Sequence, residues 1–216
     1  MVSGKGNDLS KSNDNKKVWN RYAKIYDYEI TRFNGKAYNE MYGLISHALT
    51  KDMRVLEVAT GTGLIAINVA EHAHSIEAID FSPKMIDAAK RKVVPSNVNF
   101  SVEDATNLSF PEQSFDAVII SNALHIMPDP EVVLLNIKRV LKCGGILIAP
   151  TYSQAHIKDS SWTLSALILK LIGFETHSKW SPAEYVEFIN ENDFIVEKTK
   201  VLKAAFPLVY LEAKKE

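Results

Sequence analysis

Apolar and polar positions along this chain follow two periods, and the change from one to the other marks its elements. From Val18 to about Arg32, Trp19, Tyr22, Ile25 and Tyr26 recur at helical spacing, and Tyr38 to Leu49 continues the pattern. Gly35 lies between these stretches and predicts a break. From Arg54 onward short apolar runs take over, at Arg54–Val58, Ser75–Ile79, Val98–Val102, Ala117–Ile120 and Gly145–Ala149. Helical spacing fills Leu64–Ala73, Pro83–Val93 and Glu131–Leu141 between them. Ser82 before Pro83 predicts an N-cap, and Gly144-Gly145 predicts the end of the Glu131 helix. Strands that alternate with helices in this way build a parallel sheet covered on both faces.

The carboxyl-terminal part breaks that rhythm. A helix over Pro182–Asn192, capped by Ser181, precedes two strand-like runs, Phe194–Val201 and Ala205–Ala213. The linker Leu202-Lys-Ala204 is too short for a parallel crossover, so these two strands pair antiparallel if they are neighbours. The expected fold is α/β, with a doubly wound sheet of seven strands, mostly parallel, closed by an antiparallel carboxyl-terminal hairpin. Residues 18–216 read as one domain, with a helical cap over 18–50 and an insertion over 152–180.

Composition changes this picture little. The 216 residues carry a net charge of −1, so no basic footprint points to nucleic acid. Cys143 stands alone, which excludes an intrachain disulfide and fits a reducing, cytoplasmic setting. No His/Cys/Asp cluster has metal-ligand spacing, so no metal is expected. Residues 1–17 are rich in Gly, Ser, Asn, Asp and Lys without an apolar core, which predicts disorder rather than a secretory signal. The most apolar segment, Leu164–Phe174, is too short to span a bilayer and contains Lys170, so a soluble protein is expected. Transient contact with a membrane surface stays open, and the oligomeric state is not legible.

The chemistry concentrates at Val55-Leu-Glu-Val-Ala-Thr-Gly-Thr-Gly-Leu-Ile65. It reads as a buried strand, a glycine turn and a helix start, the arrangement that holds a small ligand at the carboxyl edge of a sheet. Glu57 is the odd member, a carboxyl where a structural strand would hold Val or Ile. Gly61-Thr-Gly63-Leu-Ile-Ala66, with Asp80 downstream, satisfies the G-x-G-x-x-A dinucleotide fingerprint. Against NAD stand Glu57 inside the first strand, the antiparallel closing hairpin and a further acid, Asp104, before Ala105 at the end of the third strand.

Taken in order, five segments resemble the class I S-adenosylmethionine (SAM)-dependent methyltransferases. They are Glu57-Val-Ala59-Thr-Gly61-Thr-Gly63, Ile79-Asp80-Phe81-Ser82-Pro83-Lys84-Met85, Glu103-Asp104-Ala105, Phe115-Asp116 through His125, and Val140 through Leu147. The resemblance runs from Val18 to the carboxyl terminus and is closest to the small-molecule branch of ubiquinone/menaquinone and phospholipid N-methyltransferases. It implies a Rossmann-like sheet and SAM as cofactor. Asp80 is then expected to accept hydrogen bonds from the ribose hydroxyls. Asp104 would accept from the adenine amine, with Phe81, Met85 and Ala105 against the ring and Ser82 opening the next helix. Backbone groups near Ala59, Thr60 and Gly61 would meet the methionine end, with Glu57 orienting the turn and Gly63 and Asn122 completing the site. Ala59 replaces the family's first glycine, which implies a backbone with no positive φ there. Tyr22-Ala-Lys-Ile-Tyr26-Asp27 is similar to the family's Y-x-x-x-Y-D pattern, which covers the cofactor, and helical spacing puts both tyrosines on one face.

Methyl transfer needs alignment and exclusion of water, with a general base only where the nucleophile carries a proton. His125, after the fourth strand, is the first candidate base and His156 the second. Tyr152–Trp180, with Trp162, the run Leu164–Phe174 and Trp180, is expected to form a lid, with Leu167 and Leu171 on one helix face. Such a lid implies an apolar or amphiphilic acceptor, such as a quinol or lipid head group. A non-catalytic SAM-binding regulator and an NAD-dependent oxidoreductase remain as alternatives.

Overall fold

The computed structural model describes residues 18–23, 25–153, 177–204 and 207–215. The tail 1–17, His156, Trp162 and the Leu164–Phe174 run, with Leu167 and Leu171, lie outside the described residues.

Helix α1 covers residues 18–22, and α2 covers Tyr26–Ala48. The expected break at Gly35 is therefore absent, and the interruption lies between Tyr22 and Tyr26 instead. Gly35 and Gly43 sit inside α2 with open space where a Cβ would be. Each weakens the helix by about 1 kcal/mol relative to alanine. The buried face of Ile30, Ala37, Tyr38, Met41 and Ile45 carries the helix across both.

The alternation after α2 is as the pattern predicts. Strand β1 (Arg54–Val58) leads to α3 (Leu64–Val69), β2 (Ser75–Asp80) to α4 (Pro83–Lys90), then β3 (Val98–Val102) and β4 (Phe115–Ile120). Helix α5 (Pro130–Val140) precedes β5 (Leu141–Ile148) and β6 (Thr151–Tyr152), and α6 (Pro182–Glu191) precedes β7 (Phe194–Leu202) and β8 (Leu208–Lys215). The sheet order is β3-β2-β1-β4-β5-β8, with β7 on the outer edge of β8. The first five strands run parallel, and β8 pairs antiparallel with β5 and β7. Two details differ from expectation. A short eighth strand, β6, joins β8 past the end of β5. The glycines Gly144 and Gly145 do not end α5, because Leu141 leaves the helix directly in an extended conformation. They serve an irregular stretch of β5, where Gly144 takes φ +69° and a Cβ on Gly145 would lie 2.9 Å from the Lys142 carbonyl.

Strand alternation sorts two cores. Val55, Ala117 and Ile119 join α2, α3 and α4 on one face, and Leu56, Val58, Val118 and Ile120 join α5 and α6 on the other. Ser82 caps α4 by accepting from the Met85 amide at 3.2 Å, and Ser181 and Glu184 form a capping box on α6.

The tightest backbone position is Gly63, the N-cap of α3, at φ +76°. A Cβ there would overlap the Phe100 ring and lie 3.2 Å from Ala89. Gly63→Ala should therefore cost about 3 kcal/mol, combining overpacking with a left-handed alanine. Urea unfolding followed by circular dichroism measures this.

Candidate active site

The carboxyl ends of β1, β2 and β4 meet beside the glycine turn. Ala59, Gly61 and Gly63 all lie in the left-handed region, at φ +55°, +58° and +76°. The value at Ala59 overturns the expectation that this position needs no positive φ. The turn is pinned from both ends, since the Thr60 amide donates to the Ile79 carbonyl at 2.8 Å and the Gly63 amide to the Thr60 carbonyl at 3.0 Å. That pinning holds alanine in a conformation costing roughly 1–2 kcal/mol. Asn122, at the end of the adjacent strand β4, is likewise left-handed at φ +53°. Strained non-glycine residues held by their surroundings cluster at functional sites.

Glu57 explains how the turn reaches a helix without an ordinary cap. Gly63 has no side chain to cap α3. Glu57, on the sheet face that meets α3, accepts from the Ala66 amide at 2.9 Å, so strand β1 caps the helix across the turn. The carboxyl is 2% exposed. Burial pushes its pKa up to about 8, against the lowering effect of the Ala66 amide, and the nearby Asp80 raises it further.

Asp80 ends β2 and is held rigidly. One carboxylate oxygen accepts from the Gly61 amide and the other from the Ser82 amide, both at 2.9 Å. Each oxygen retains a second lone pair. Burial raises its pKa to about 6, with the two amides opposing, so it is ionised at pH 7. Phe81 is half-buried and Met85 is buried beneath the turn that follows. Asp104 is exposed past the end of β3, where it accepts from the Thr106 amide at 2.9 Å and hydroxyl at 2.8 Å, while Ala105 beside it is buried. Asp116, by contrast, lies at the start of β4 and pairs with Lys142 and the Arg54 amide, remote from the turn.

The N-terminal helices lie over this edge. Tyr22 and Tyr26 do not share a helix, since α1 ends at the first and α2 begins at the second. Their rings still meet edge to face at 5.6 Å, and the Tyr22 hydroxyl donates to Glu29. Tyr26 lies over Gly61, within 3.8 Å of where a Cβ would stand. A cavity of about 10 Å³, lined by Tyr26, Tyr38, Glu57, Ala59, Thr60 and Ser121, separates cap from turn. Sequence reasoning missed Tyr38, Ser121 and Tyr152. The Asn122 amide donates to the Tyr38 oxygen at 3.0 Å, and the hydroxyls of Tyr26 and Tyr152 are within hydrogen-bonding reach of that same oxygen. The carbonyl oxygen of the Asn122 side chain is buried and has no hydrogen-bond partner among the described residues. Also missed was Asn20, whose side chain accepts from the Ser82 hydroxyl at 2.7 Å and so docks α1 on the Asp80 turn. Helical periodicity showed Asn20 and Tyr38 only as parts of helices, and Ser121 and Tyr152 lie at strand ends, where no pattern marks them.

His125 is buried on the turn after β4. Its Nδ1 lies 3.0 Å from the Thr151 hydroxyl, and burial lowers its pKa to about 4, leaving it neutral at pH 7. Its carbonyl accepts from the His177 and Ser178 amides at 3.0 and 3.1 Å. The Ser153 hydroxyl donates to the Trp180 carbonyl at 3.1 Å, so both described ends of the insertion return to this edge. Trp180 is half-buried, stacks on Phe188 at 4.5 Å and packs against the core beside α6.

A larger hollow, about 250 Å³, lies at the opposite edge of the sheet among Glu112, Lys138, Arg139 and Lys215. Its cations are already engaged: Lys138 with Asp193, Arg139 with the Leu108 and Phe110 carbonyls, and Lys215 with the Leu141 carbonyl. None of the sequence motifs reaches it. Among the described residues no cluster of three or more metal-ligating side chains occurs.

Residues 56–149, from β1 to the end of β5, match the methyltransferase domain family. The chain is 32% identical over 134 residues to the demethylmenaquinone methyltransferase of Renibacterium salmoninarum, covering 62% of this chain and 56% of that one. Over this stretch the chain resembles a methyltransferase domain. It is also 31% identical to the phosphatidylethanolamine N-methyltransferase of Cereibacter sphaeroides, over 62% of this chain and 66% of that one. The alignments thus span under two thirds of either relative. A SAM-dependent methyltransferase from Aquifex aeolicus shares the fold at a TM-score of 0.67 and 18% identity, over 91% of this chain and 98% of that one.

The residues at this sheet edge fit SAM, the cofactor that the resemblance implies. The cofactor brings two ribose hydroxyls, and Asp80 keeps two free lone pairs beside the turn. It brings an ammonium, and the Asn122 side chain offers a buried acceptor with no partner among the described residues.

The raised pKa of Glu57 has a consequence for stability. The folded chain holds this proton more tightly than the unfolded chain, where the ordinary value is 4.5. Stability is therefore lost as pH rises from that value to about 8 and levels off above it. Glu57→Gln keeps the acceptor for Ala66 and removes the titration. Relative to the parent chain it should gain on the order of 2–4 kcal/mol between pH 5 and pH 8, measured by urea unfolding at each pH.

Proposed function

We propose that this chain transfers the methyl group of SAM to a small apolar or amphiphilic acceptor, of the quinol or lipid kind named in its relatives. The observation that carries the reading is the convergence of three unlike groups on one sheet edge: the Asp80 carboxylate, the left-handed Ala59–Gly63 turn and the unpartnered Asn122 oxygen.

Each residue has a role in this reading. Asp80 takes the ribose hydroxyls, and Ser82 and Gly61 hold it in place. Phe81, Met85 and Ala105 contact the adenine, with Asp104 toward its amine. The backbone at Ala59, Thr60 and Gly61 meets the methionine end, Gly63 lets the turn pass into α3, and Asn122 accepts from the ammonium. Tyr22 and Tyr26 cover the site, and Glu57 holds the turn on α3.

SAM supplies a methyl group on a positively charged sulfur that already activates its own departure. The chain must therefore orient the acceptor and keep water out. The aromatic cap of Tyr22, Tyr26 and Tyr38 serves the second task. His125 is neutral at pH 7 and can accept a proton from an acceptor that must lose one. Ser153, His177 and Ser178 meet His125 and Trp180 at this edge, where the acceptor would approach.

Equilibrium binding tests the cofactor assignment first. SAM and S-adenosylhomocysteine should raise the melting temperature and NAD should not. Labelled SAM should then transfer its methyl group to a soluble naphthohydroquinone or to phosphatidylethanolamine vesicles. Stabilisation by NAD alone would overturn the assignment, and binding without transfer to a wide acceptor panel would favour a regulator. Asp80→Asn should weaken S-adenosylhomocysteine roughly 10- to 100-fold, the loss of one or two hydrogen bonds to a charged acceptor. Calorimetry reads this directly.

A further inference from the structure

Thr62 stands between the two left-handed glycines and is fully buried. Its hydroxyl and its carbonyl are both engaged by charged residues from elsewhere in the chain. Its hydroxyl donates to the Asp27 carboxylate, in the first turn of α2. Its carbonyl accepts from the Lys92 ammonium at 2.7 Å, just beyond α4. The ammonium and the carboxylate lie 2.6 Å apart, which closes a ring of three residues from three segments.

A charge pair as exposed as this one, 40% at Asp27 and 25% at Lys92, contributes little by itself. The ring differs because its third member is buried. Opening it would leave the Thr62 hydroxyl and carbonyl without their partners inside the fold. The turn also has no room to yield on its other side, where Gly63 abuts Phe100 and Ala89. Tyr26, the residue before Asp27, lies over Gly61. Whatever fixes Asp27 therefore fixes the aromatic cover as well as the turn. Neither Asp27 nor Lys92 lines the cavity between cap and turn.

We propose that Asp27 and Lys92 are positioning residues for the cofactor turn, coupling the N-terminal cap to cofactor binding through Thr62. The inference rests on the assignment of this turn to SAM. With the ring closed, the Gly61–Gly63 backbone keeps its left-handed shape and Tyr26 stays over it. With the ring open, turn and cover relax together and the bound ligand escapes faster. The two charges thus act on residence time without touching the cofactor.

The test uses the full chain and S-adenosylhomocysteine, with affinity from calorimetry and dissociation rate from stopped flow. Asp27→Asn and Lys92→Met should each weaken binding roughly tenfold, within the range of coupling between linked sites, and the change should appear in the dissociation rate. The double variant should be no worse than the weaker single, because all three groups act as one unit. Lys92→Arg should stay within about threefold of the parent. Lys138→Met, which breaks the Lys138–Asp193 pair far from the turn, should change nothing. Thr62→Val removes only the hydroxyl and gives the same readout should Asp27→Asn fold poorly. Parental affinity and dissociation rate in a folded Asp27→Asn, Lys92→Met or Thr62→Val protein would overturn the proposal, as would losses that add in the double variant. Failure of the parent chain to bind S-adenosylhomocysteine would overturn the cofactor assignment instead.

Discussion

The hydrogen bond from the Ala66 amide to Glu57 joins strand β1 to helix α3, and the geometry of the site follows from it. A strand that ends in a tight left-handed turn delivers the chain to a helix whose first residues have unsatisfied amides. The usual remedy is a polar side chain at the N-cap. Here the N-cap must be glycine, because Phe100 and Ala89 fill the space of a Cβ. The cap therefore comes from inside the strand, six residues earlier in the chain. This accounts for an acid buried in the middle of a parallel sheet, at a cost visible in its raised pKa. It also keeps the turn short, so its backbone stays close to whatever lies at the sheet edge.

Asp80 plays the complementary part from the next strand. Its two oxygens receive the Gly61 and Ser82 amides, so one carboxylate ties the turn after β1 to the turn after β2. The neighbouring acids have different electrostatic fates for a physical reason. Glu57 is deeply buried beside the Asp80 charge, and it favours the proton. Asp80 has a donor on each oxygen, and it is ionised at pH 7. The ionised group is the one to which the proposed function gives the ribose hydroxyls. The neutral one serves structure.

The cap adds a layer that depends on contacts distant in sequence. Asn20 reaches Ser82, Asp27 reaches Thr62 and Lys92, and Tyr38 gathers Asn122, Tyr26 and Tyr152. These contacts bind the N-terminal helices to all three strand ends that form the site. Methyl transfer from a sulfonium asks for enclosure and alignment more than for acid–base chemistry. In the proposed function, an aromatic cover tied to the turn by hydrogen bonds meets that demand.

Much of the fold and part of the site were legible in the sequence. The parallel sheet, the antiparallel hairpin, the caps at Ser82 and Ser181 and the acids at strand ends all follow from period, turn chemistry and linker length, which are local properties. Glu57 stood out because a carboxyl in an apolar run has no local reason to be there. Three things required the tertiary structure. Ala59 adopts a left-handed backbone against its own preference, because the Thr60–Ile79 hydrogen bond and the packing of the turn outweigh roughly 1–2 kcal/mol of local strain. Helix α2 runs through Gly35 because its buried face offsets the weak helix propensity of glycine. Asp27, Lys92 and Thr62 form one unit although they lie 35 and 30 residues apart along the chain. Local preferences are written in neighbouring residues and can be read there, whereas the balance between strain and packing exists only once distant segments have met.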